Sequence, residues 1–286
     1  MTRPIVQLHT IQQWLQQTPA IQSTILQNIR LRYRLEMWMR SRAERPALQE
    51  VISEPCYRCE GTGTVKHFPR LPGIHPSSLG SSCLLQIYNE MIGKPGREKF
   101  DFRFQLIYNL GSAAHLMFQG YGLKGAWGPY YKPESRICEE LQDIAYDLLL
   151  EGSADAENIL VIDDIAGSDT IYEVGLIHEY KTINDAGFKK LARPKPEHQQ
   201  QAVVYSVALN RPIVVYLYMN KNDQSIAEFP VAYDASVWTE IENKAKRLNA
   251  FYDRDEAPPG NVNRYECEDC RYSYDCPDYL RARGGT

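Results

Sequence analysis

The chain has 286 residues, 43% of them hydrophobic, and a formal net charge of −4. This length and composition predict a folded domain with a substantial core, and the charge provides no global field for nucleic acid, although local basic patches suffice for binding. No apolar run approaches the roughly 18 residues that span a membrane, and the first residues lack the apolar centre of a secretion signal. We therefore expect a cytoplasmic protein without a membrane partner.

The predicted elements follow an α/β order. Residues 29–39 (IRLRYRLEMWM) alternate apolar and basic side chains, which fits a strand, while their residue types also allow a helix. The next elements are then predicted from spacing and residue type. They are helices over 83–92, 102–121 and 137–152, strands over 157–163 and 171–182, a helix over 196–210, a strand over 212–221 and a helix over 234–253.

The stretch GLIHEYKT places Glu179 and Lys181 two positions apart near the end of a predicted strand. Side chains at this spacing lie on one face of a strand. There the carboxylate can hold a divalent cation, with the carbonyl of Tyr180 beside it, while the ammonium orients a water or stabilises charge in a phosphorane-like transition state. Because Mg²⁺ and Mn²⁺ prefer several oxygen ligands, further acids are needed.

Three further motifs supply candidate partners, namely Gly111–His115 on a helix, Asp155 at a predicted strand start, and Gln201–Tyr205. Residues four apart share one face of a helix, so the last pair is expected to act together. Asp163 and Asp164 compete with Asp155 as the second acid. They rank lower, because the segment IDDIAGSD is typical of a hairpin end.

These motifs, in this order, resemble those of the PD-(D/E)XK nuclease superfamily, specifically its RecB-like branch (GxxxH, a Gly-rich segment with Asp, D/E-x-K, QxxxY). The resemblance covers about residues 76–278. It implies a restriction-endonuclease-like core, a central mixed sheet flanked by helices. Residues 1–75, which match no known motif set, are expected to form an N-terminal extension, and residues 279–286 are expected to be a frayed tail.

By the same resemblance, the chain is a nuclease that uses Mg²⁺ or Mn²⁺ and acts on DNA, as an exonuclease on single-stranded or frayed ends. The implied metal ligands are His115, Asp155, Glu179 and the Tyr180 carbonyl, and Lys181 assists the attacking water. The implied role of Gln201 and Tyr205 is to place the DNA and the catalytic groups.

The C-terminal cysteines Cys267, Cys270 and Cys276 need a fourth ligand for tetrahedral zinc or a cubane cluster, and Cys83 is the candidate. Iron–sulfur members of the RecB-like branch, including CRISPR-associated exonucleases and AddB-type nucleases, place one cysteine before the core and three after it. The resemblance thus implies a [4Fe–4S] cluster that staples the ends of the domain. Zinc on the same ligands, or a merely buried Cys83 thiol, remain alternatives. In many relatives a basic residue follows the first cysteine, whereas Leu84–Leu85 follow here.

A second cysteine motif, Cys56 and Cys59 in CYRCEGTG, resembles one copy of the paired CxxCxGxG zinc repeat of J-domain chaperones. His67, His75, Cys138 or another subunit would complete a zinc site, and a free, reducible thiol pair is the alternative. Cys138 by itself is expected in the core.

Two basic groups are candidates for DNA binding. Lys189, Lys190, Arg193 and Lys195 connect the Glu179 strand to the next helix, and phosphate contact there would make binding steeply salt-dependent. The second group, in the N-terminal segment, is less favourably placed, and its members are Arg30, Arg32, Arg34, Arg40, Arg42 and Arg45. Each of the two groups is alternatively only a solvated face.

The main alternative to an enzyme is a catalytically silent nuclease-like subunit that binds DNA or supports an assembly. The sequence contains no GxxxxGK[ST] phosphate loop, so any helicase motor is expected on a separate chain. A recombination or CRISPR partner and a homo-oligomer are further candidate assemblies.

Overall fold

The computed structural model describes residues 5–41, 73–97, 102–136, 148–162, 170–262, 267–268 and 270–284. A six-stranded mixed sheet lies at its centre, with five strands in the order β2-β3-β4-β5-β6 and β1 beside β4. The strands are β1 (Ile5–Leu8), β2 (Lys132–Arg136), β3 (Ser153–Ile162), β4 (Ile171–Ile183), β5 (Ile213–Asn220) and β6 (Ile226–Ala232).

Nine α-helices surround this sheet in the described part of the chain, together with a short 3₁₀ helix (Pro76–Ser78). They are α1 (Ile11–Leu15), α2 (Pro19–Asn28), α3 (Leu31–Ser41), α4 (Leu84–Met91), α5 (Phe102–Leu123), α6 (Asp185–Lys189), α7 (Pro196–Ala208), α8 (Ala235–Tyr252) and α9 (Pro277–Ala282). The predicted mixed α/β fold, a central sheet flanked by helices, is confirmed. None of these helices is both long and apolar enough to cross a membrane.

The central strand β4 is parallel to β1 along residues 171–174 and to β5 along residues 176–183, and antiparallel to β3. The pairs β2–β3 and β5–β6 are also antiparallel. All eight residues of β5 are buried, as expected for an apolar strand covered on both faces.

Each face of the sheet carries its own hydrophobic core. On the α7 face, Ile177 and Tyr216 pack with residues of α4, α7 and α8. On the α5 face, Tyr180 and Val215 pack with α5 and the N-terminal helices, which contribute the fully buried Trp14. Because β4 is covered on both faces, a polar residue near its end must find its partners inside the protein.

The described part of the predicted N-terminal extension packs directly on this sheet. β1 pairs with β4, and the alternating segment 29–39, which allowed either strand or helix, forms α3 over most of its length. Trp127 Nε1 donates a 3.2 Å hydrogen bond to the carbonyl of Leu31, which ties α3 to the loop after α5.

At the other end, α9 extends through Ala282, whereas the sequence predicted fraying from residue 279. Tyr279 is buried, and the burial of its side chain anchors the last helix. Most of the helix predicted over 137–152 lies outside the described residues, as do Asp163 and Asp164.

Candidate active site

The Glu179–Lys181 pair lies on one face of β4, near the carboxyl end of the strand. Lys181 Nζ is 2.5 Å from Glu179 Oε1 and donates a 3.2 Å hydrogen bond to Gln201 Oε1 on α7. Burial alone lowers the pKa of Lys181, but the nearby carboxylates of Glu179 and Asp155 outweigh burial and raise it above its ordinary value. The ammonium is therefore held charged inside the protein.

Asp155 reaches the same site through a break in the alternation of β3. Ala154 packs in the core of the α7 face and Ala156 in that of the α5 face, although residues two apart on a regular strand share a face. Between them, Asp155 Oδ2 accepts a 2.6 Å hydrogen bond from the backbone N–H of Tyr180. Asp155 Oδ1 lies 3.2 Å from Nδ1 of His115.

His115 comes from α5, which crosses the end of β4. Gly111 lies one turn earlier, where an added Cβ would be 3.6 Å from Thr182 Oγ1. Burial lowers the pKa of His115, and the Asp155 carboxylate more than offsets this, so that the pKa is raised. For Asp155 the effects are opposite in sign: burial raises the pKa of the carboxyl, but the nearby His115 and Lys181 outweigh burial and lower it below its ordinary value. The two groups form an ion pair.

Glu179 is the least satisfied group of the site. Its side chain is 1% exposed, and among the described residues its Oε2 has no hydrogen-bond partner. Burial raises the pKa of Glu179 to about 7, against the opposing effect of Lys181. An unpaired carboxylate oxygen inside a protein is costly, so this oxygen marks a place where a cation would be stabilised.

Gln201 and Tyr205 share one face of α7, as their spacing predicted. Gln201 Nε2 donates a 3.2 Å hydrogen bond to the Tyr205 hydroxyl, while its Oε1 accepts from Lys181. Burial raises the pKa of Tyr205 well above its ordinary value, and Glu179 adds to the effect. Helix α7 therefore positions Lys181 through the neutral amide of Gln201, which Tyr205 holds in place.

The donor set fits a divalent cation that prefers oxygen ligands. It offers the carboxylates of Asp155 and Glu179, the latter with a bare oxygen, and an imidazole. Among the described residues, however, no three His, Cys, Asp or Glu side chains form a ready-made ion cage. The two carboxylates are instead neutralised by His115 and Lys181, so these ion pairs must open when a cation binds.

An aromatic layer on the α5 face supports the site, and the sequence motifs did not reveal it. The Tyr180 hydroxyl lies 2.9 Å from that of Tyr131 and 3.2 Å from His178 Nδ1. The Tyr180 ring stacks against both Phe118 and Trp127, and those two rings also contact each other. The only sequence signal for this layer is the alternation of His178 and Tyr180 on the strand face opposite Glu179.

The preferred basic group lies on the connection from β4 to α7. Lys189, Lys190 and Arg193 are exposed, and Lys189 Nζ is 2.7 Å from Asp185 Oδ2. Lys195 is half-buried at the start of α7, where its backbone N–H donates a hydrogen bond to Tyr218. The exposed side chains of Lys190 and Arg193 can therefore reach an anionic ligand, whereas Lys189 already pairs with Asp185.

The alternative basic group is partly committed to the fold. Arg32 donates a 3.0 Å hydrogen bond to the carbonyl of Ile226, and Arg34 donates a 3.2 Å hydrogen bond to that of Val161. These contacts attach α3 to the sheet. Arg42 and Arg45 lie outside the described residues.

The four cysteines predicted to bind a cluster come together at a second place in the molecule. Cys83, Cys267, Cys270 and Cys276 line one cavity, and all four are free thiols. Burial raises the pKa of Cys270, and the proximity of the other three sulfurs raises it further. Cys83 and Cys276 directly precede the first residues of α4 and α9.

The candidate zinc knuckle of Cys56 and Cys59 lies outside the described residues, together with His67 and Cys138. His75 is described and precedes the 3₁₀ helix Pro76–Ser78.

Fold and site together define a mixed α/β protein with a buried centre of two acids, a histidine and a lysine. No family model matches the sequence, and no curated protein does. Among solved structures, SSO0001 is similar at 18% identity, with a TM-score of 0.45 over 90% of this chain and 98% of its own.

An alkaline exonuclease from Laribacter hongkongensis, LHK-Exo, is similar at 14% identity over 65% of this chain and 90% of its own. The TM-score is 0.45 for its complex with dAMP and 0.40 for a second structure. Similarities of this size assign no function.

Proposed function

We propose that the chain is a metal-dependent DNA nuclease of the PD-(D/E)XK type, which hydrolyses phosphodiesters with an activated water. The observation that carries the proposal is the convergence of four separate motifs at one end of β4. One group of contacts joins His115 to Asp155, and another joins Glu179, Lys181, Gln201 and Tyr205. The backbone N–H of Tyr180, between Glu179 and Lys181, donates to Asp155 and connects the two groups.

Asp155, Glu179 and His115, with the Tyr180 carbonyl, would hold Mg²⁺ or Mn²⁺. When bound, such an ion lowers the pKa of a water and stabilises charge on the phosphoryl oxygens. Lys181, fixed by Glu179 and Gln201, presents an ammonium beside the attacking water. There it orients the water and stabilises negative charge in the transition state.

Exonuclease action on single-stranded or frayed ends is the proposed mode, by resemblance to the RecB-like branch. The exposed Lys189, Lys190 and Arg193 lie on the chain that leaves the catalytic strand, where they would contact the DNA backbone. Lys195, at the start of α7, is the fourth member of this proposed surface.

At the second site we propose a [4Fe–4S] cluster on Cys83, Cys267, Cys270 and Cys276. The four cysteines line a common cavity, which provides the four thiolates that a cluster or a zinc ion needs. The choice of a cluster over zinc follows the resemblance to the iron–sulfur members of the RecB-like branch.

The test uses full-length protein purified without oxygen and end-labelled linear and circular single strands, with Mn²⁺ or with EDTA. We expect brown protein that degrades linear DNA in Mn²⁺ and leaves circles intact. Glu179→Gln and Lys181→Ala should each lower the rate by at least about 100-fold. The exposed pair Glu242 and Lys246, linked at 2.7 Å, provides matched controls, Glu242→Gln and Lys246→Ala, which should retain full activity.

Wild-type protein that binds DNA but cleaves none of these substrates with any divalent ion would overturn the nuclease and support a silent binding subunit. Colourless protein containing one zinc per four thiols would overturn the cluster.

A further inference from the structure

Glu134 on β2 has a backbone conformation that its residue type disfavours. Its φ angle is +54°, in the left-handed region that costs a non-glycine residue roughly 1 kcal/mol or more. The antiparallel ladder between β2 and β3 is regular on both sides of it, from Lys132↔Glu157 to Arg136↔Ser153. That register sets Glu134 opposite Asp155, at the one step where the ladder lacks a pair. The left-handed residue of β2 thus lies opposite the break in alternation of β3 that redirects Asp155.

Within the described structure, the Glu134 carboxylate accepts hydrogen bonds from two different elements. Oε1 accepts a 3.0 Å hydrogen bond from Gln119 Nε2 on α5, and Oε2 accepts a 3.3 Å hydrogen bond from Ser153 Oγ at the start of β3. The Glu134 side chain therefore connects β2, α5 and β3 around Asp155.

Gln119 connects this arrangement to the candidate active site. Its Nε2 also donates a 3.2 Å hydrogen bond to the backbone carbonyl of Asp155. Gln119 lies four residues after His115, so both project from the same face of α5. His115 therefore holds the carboxylate of Asp155, Gln119 holds its backbone, and Glu134 holds Gln119.

We propose that Glu134 is a positioning residue of the metal site, whose carboxylate fixes the distorted strand segment that turns Asp155 toward His115 and Glu179. The proposal rests on the nuclease function above. A strained backbone conformation persists only where its surroundings enforce it, and here the two hydrogen bonds to the carboxylate enforce it. Groups that orient metal ligands typically change metal affinity by 10- to 100-fold when removed.

The test compares wild-type protein with Glu134→Gly by calorimetric titration with Mn²⁺ alone, without DNA. Glycine removes the carboxylate and also relieves the left-handed strain, so the variant should unfold at a temperature no lower than wild type. We nevertheless expect Mn²⁺ to bind at least about tenfold more weakly, with a matching rise in the Mn²⁺ concentration for half-maximal cleavage. Glu242→Gln on the exposed face of α8 is the control and should bind Mn²⁺ like wild type.

Gln119→Met provides a second variant of similar volume that removes the link between Glu134 and Asp155. It should weaken Mn²⁺ binding to the same degree, and the double variant should weaken it no further, because both changes break one chain of contacts. Equal Mn²⁺ affinity in wild type and Glu134→Gly, or no Mn²⁺ binding by wild type, would overturn the proposal. If wild type binds Mn²⁺ without cleaving DNA and Glu134→Gly binds it tenfold more weakly, the positioning role stands and the nuclease function fails.

Discussion

Lys181 balances the charge of the buried centre. Its ammonium donates hydrogen bonds to Glu179 and Gln201, and 17% of its side chain is exposed, against 1% for Glu179. Removal of one partner of a buried ion pair is strongly destabilising, because the remaining charge has no compensation. Glu179 can avoid that cost by taking up a proton, so the effect of losing Lys181 depends on pH.

Lys181→Met should lower the free energy of unfolding by about 3 kcal/mol at pH 8 and by much less at pH 5. The pKa of Glu179 is already raised to about 7, and loss of the ammonium raises it further. A carboxyl whose pKa is higher in the folded state stabilises the fold at low pH, and this contribution disappears as the pH rises through the folded-state pKa. Urea denaturation at both pH values, in EDTA, measures the difference.

The double variant Lys181→Met with Glu179→Gln controls for lost packing. It leaves no buried charge of this pair, so it should recover most of the stability lost at pH 8. A loss that is the same at pH 5 and pH 8 would contradict the assigned charge state of Glu179.

Residues that share a local spacing were predictable from the sequence itself, and the joining of His115 and Asp155 to them was predictable only through the family resemblance. The spacing of Glu179 and Lys181, and that of Gln201 and Tyr205, fixes shared faces of a strand and a helix. Glu134 carries no such local signal, because its role follows from the pairing of β2 with β3. That pairing is set by tertiary structure.

At the scale of elements, α5 is the support that crosses the site. It brings His115 over the end of β4, and its C-terminal turn packs against Tyr131 of the aromatic layer. A Cβ added at Gly122 would lie 2.3 Å from Tyr131 Cε1, whereas the described atom nearest to one added at Gly111 is Thr182 Oγ1 at 3.6 Å. Two glycines of one helix thus differ in the space around them.

Gly122→Ala should destabilise the protein by about 1 to 3 kcal/mol, because the Tyr131 ring must move within a packed aromatic layer. Gly111→Ala should be neutral or stabilise the fold by up to about 1 kcal/mol, because alanine favours a helix and finds room there. Thermal unfolding of both variants tests this difference. Equal destabilisation by the two substitutions would show that α5 packs differently from the arrangement described.

Element prediction was accurate for periodic, apolar segments and failed for short or polar strands. The buried strand β5 has an unmistakable composition, whereas β2 has the sequence KPESR and β6 contains Pro230 at the sheet edge. Proline is tolerated there because an edge strand need not donate every hydrogen bond. Both strands form because they pair with neighbouring strands, β2 with β3 and β6 with β5.

At the scale of the whole molecule, the two ends of the chain close over the same sheet. β1 pairs with the first residues of β4, while the C-terminal segment packs against the region around α4. There Asn261 Nδ2 donates a 3.2 Å hydrogen bond to Ser82 Oγ, and Lys94 Nζ is 2.8 Å from Asp275 Oδ2. The resemblance to the RecB-like branch suggested the C-terminal closure, but no motif indicated that the N-terminal segment joins the sheet.

Cys83→Ser should therefore abolish the visible absorption of anaerobically purified protein and lower the free energy of unfolding by at least about 3 kcal/mol. A cluster on Cys83 and the three C-terminal cysteines closes a very long loop, and cross-links of that kind restrict the unfolded chain. Cys138→Ser is the control, since Cys138 is not among the four proposed cluster ligands and zinc contributes no visible absorption, so this variant should retain the colour. If Cys83→Ser keeps both colour and stability, the four-cysteine cavity does not hold the proposed cluster, and the C-terminal segment is held in place without one.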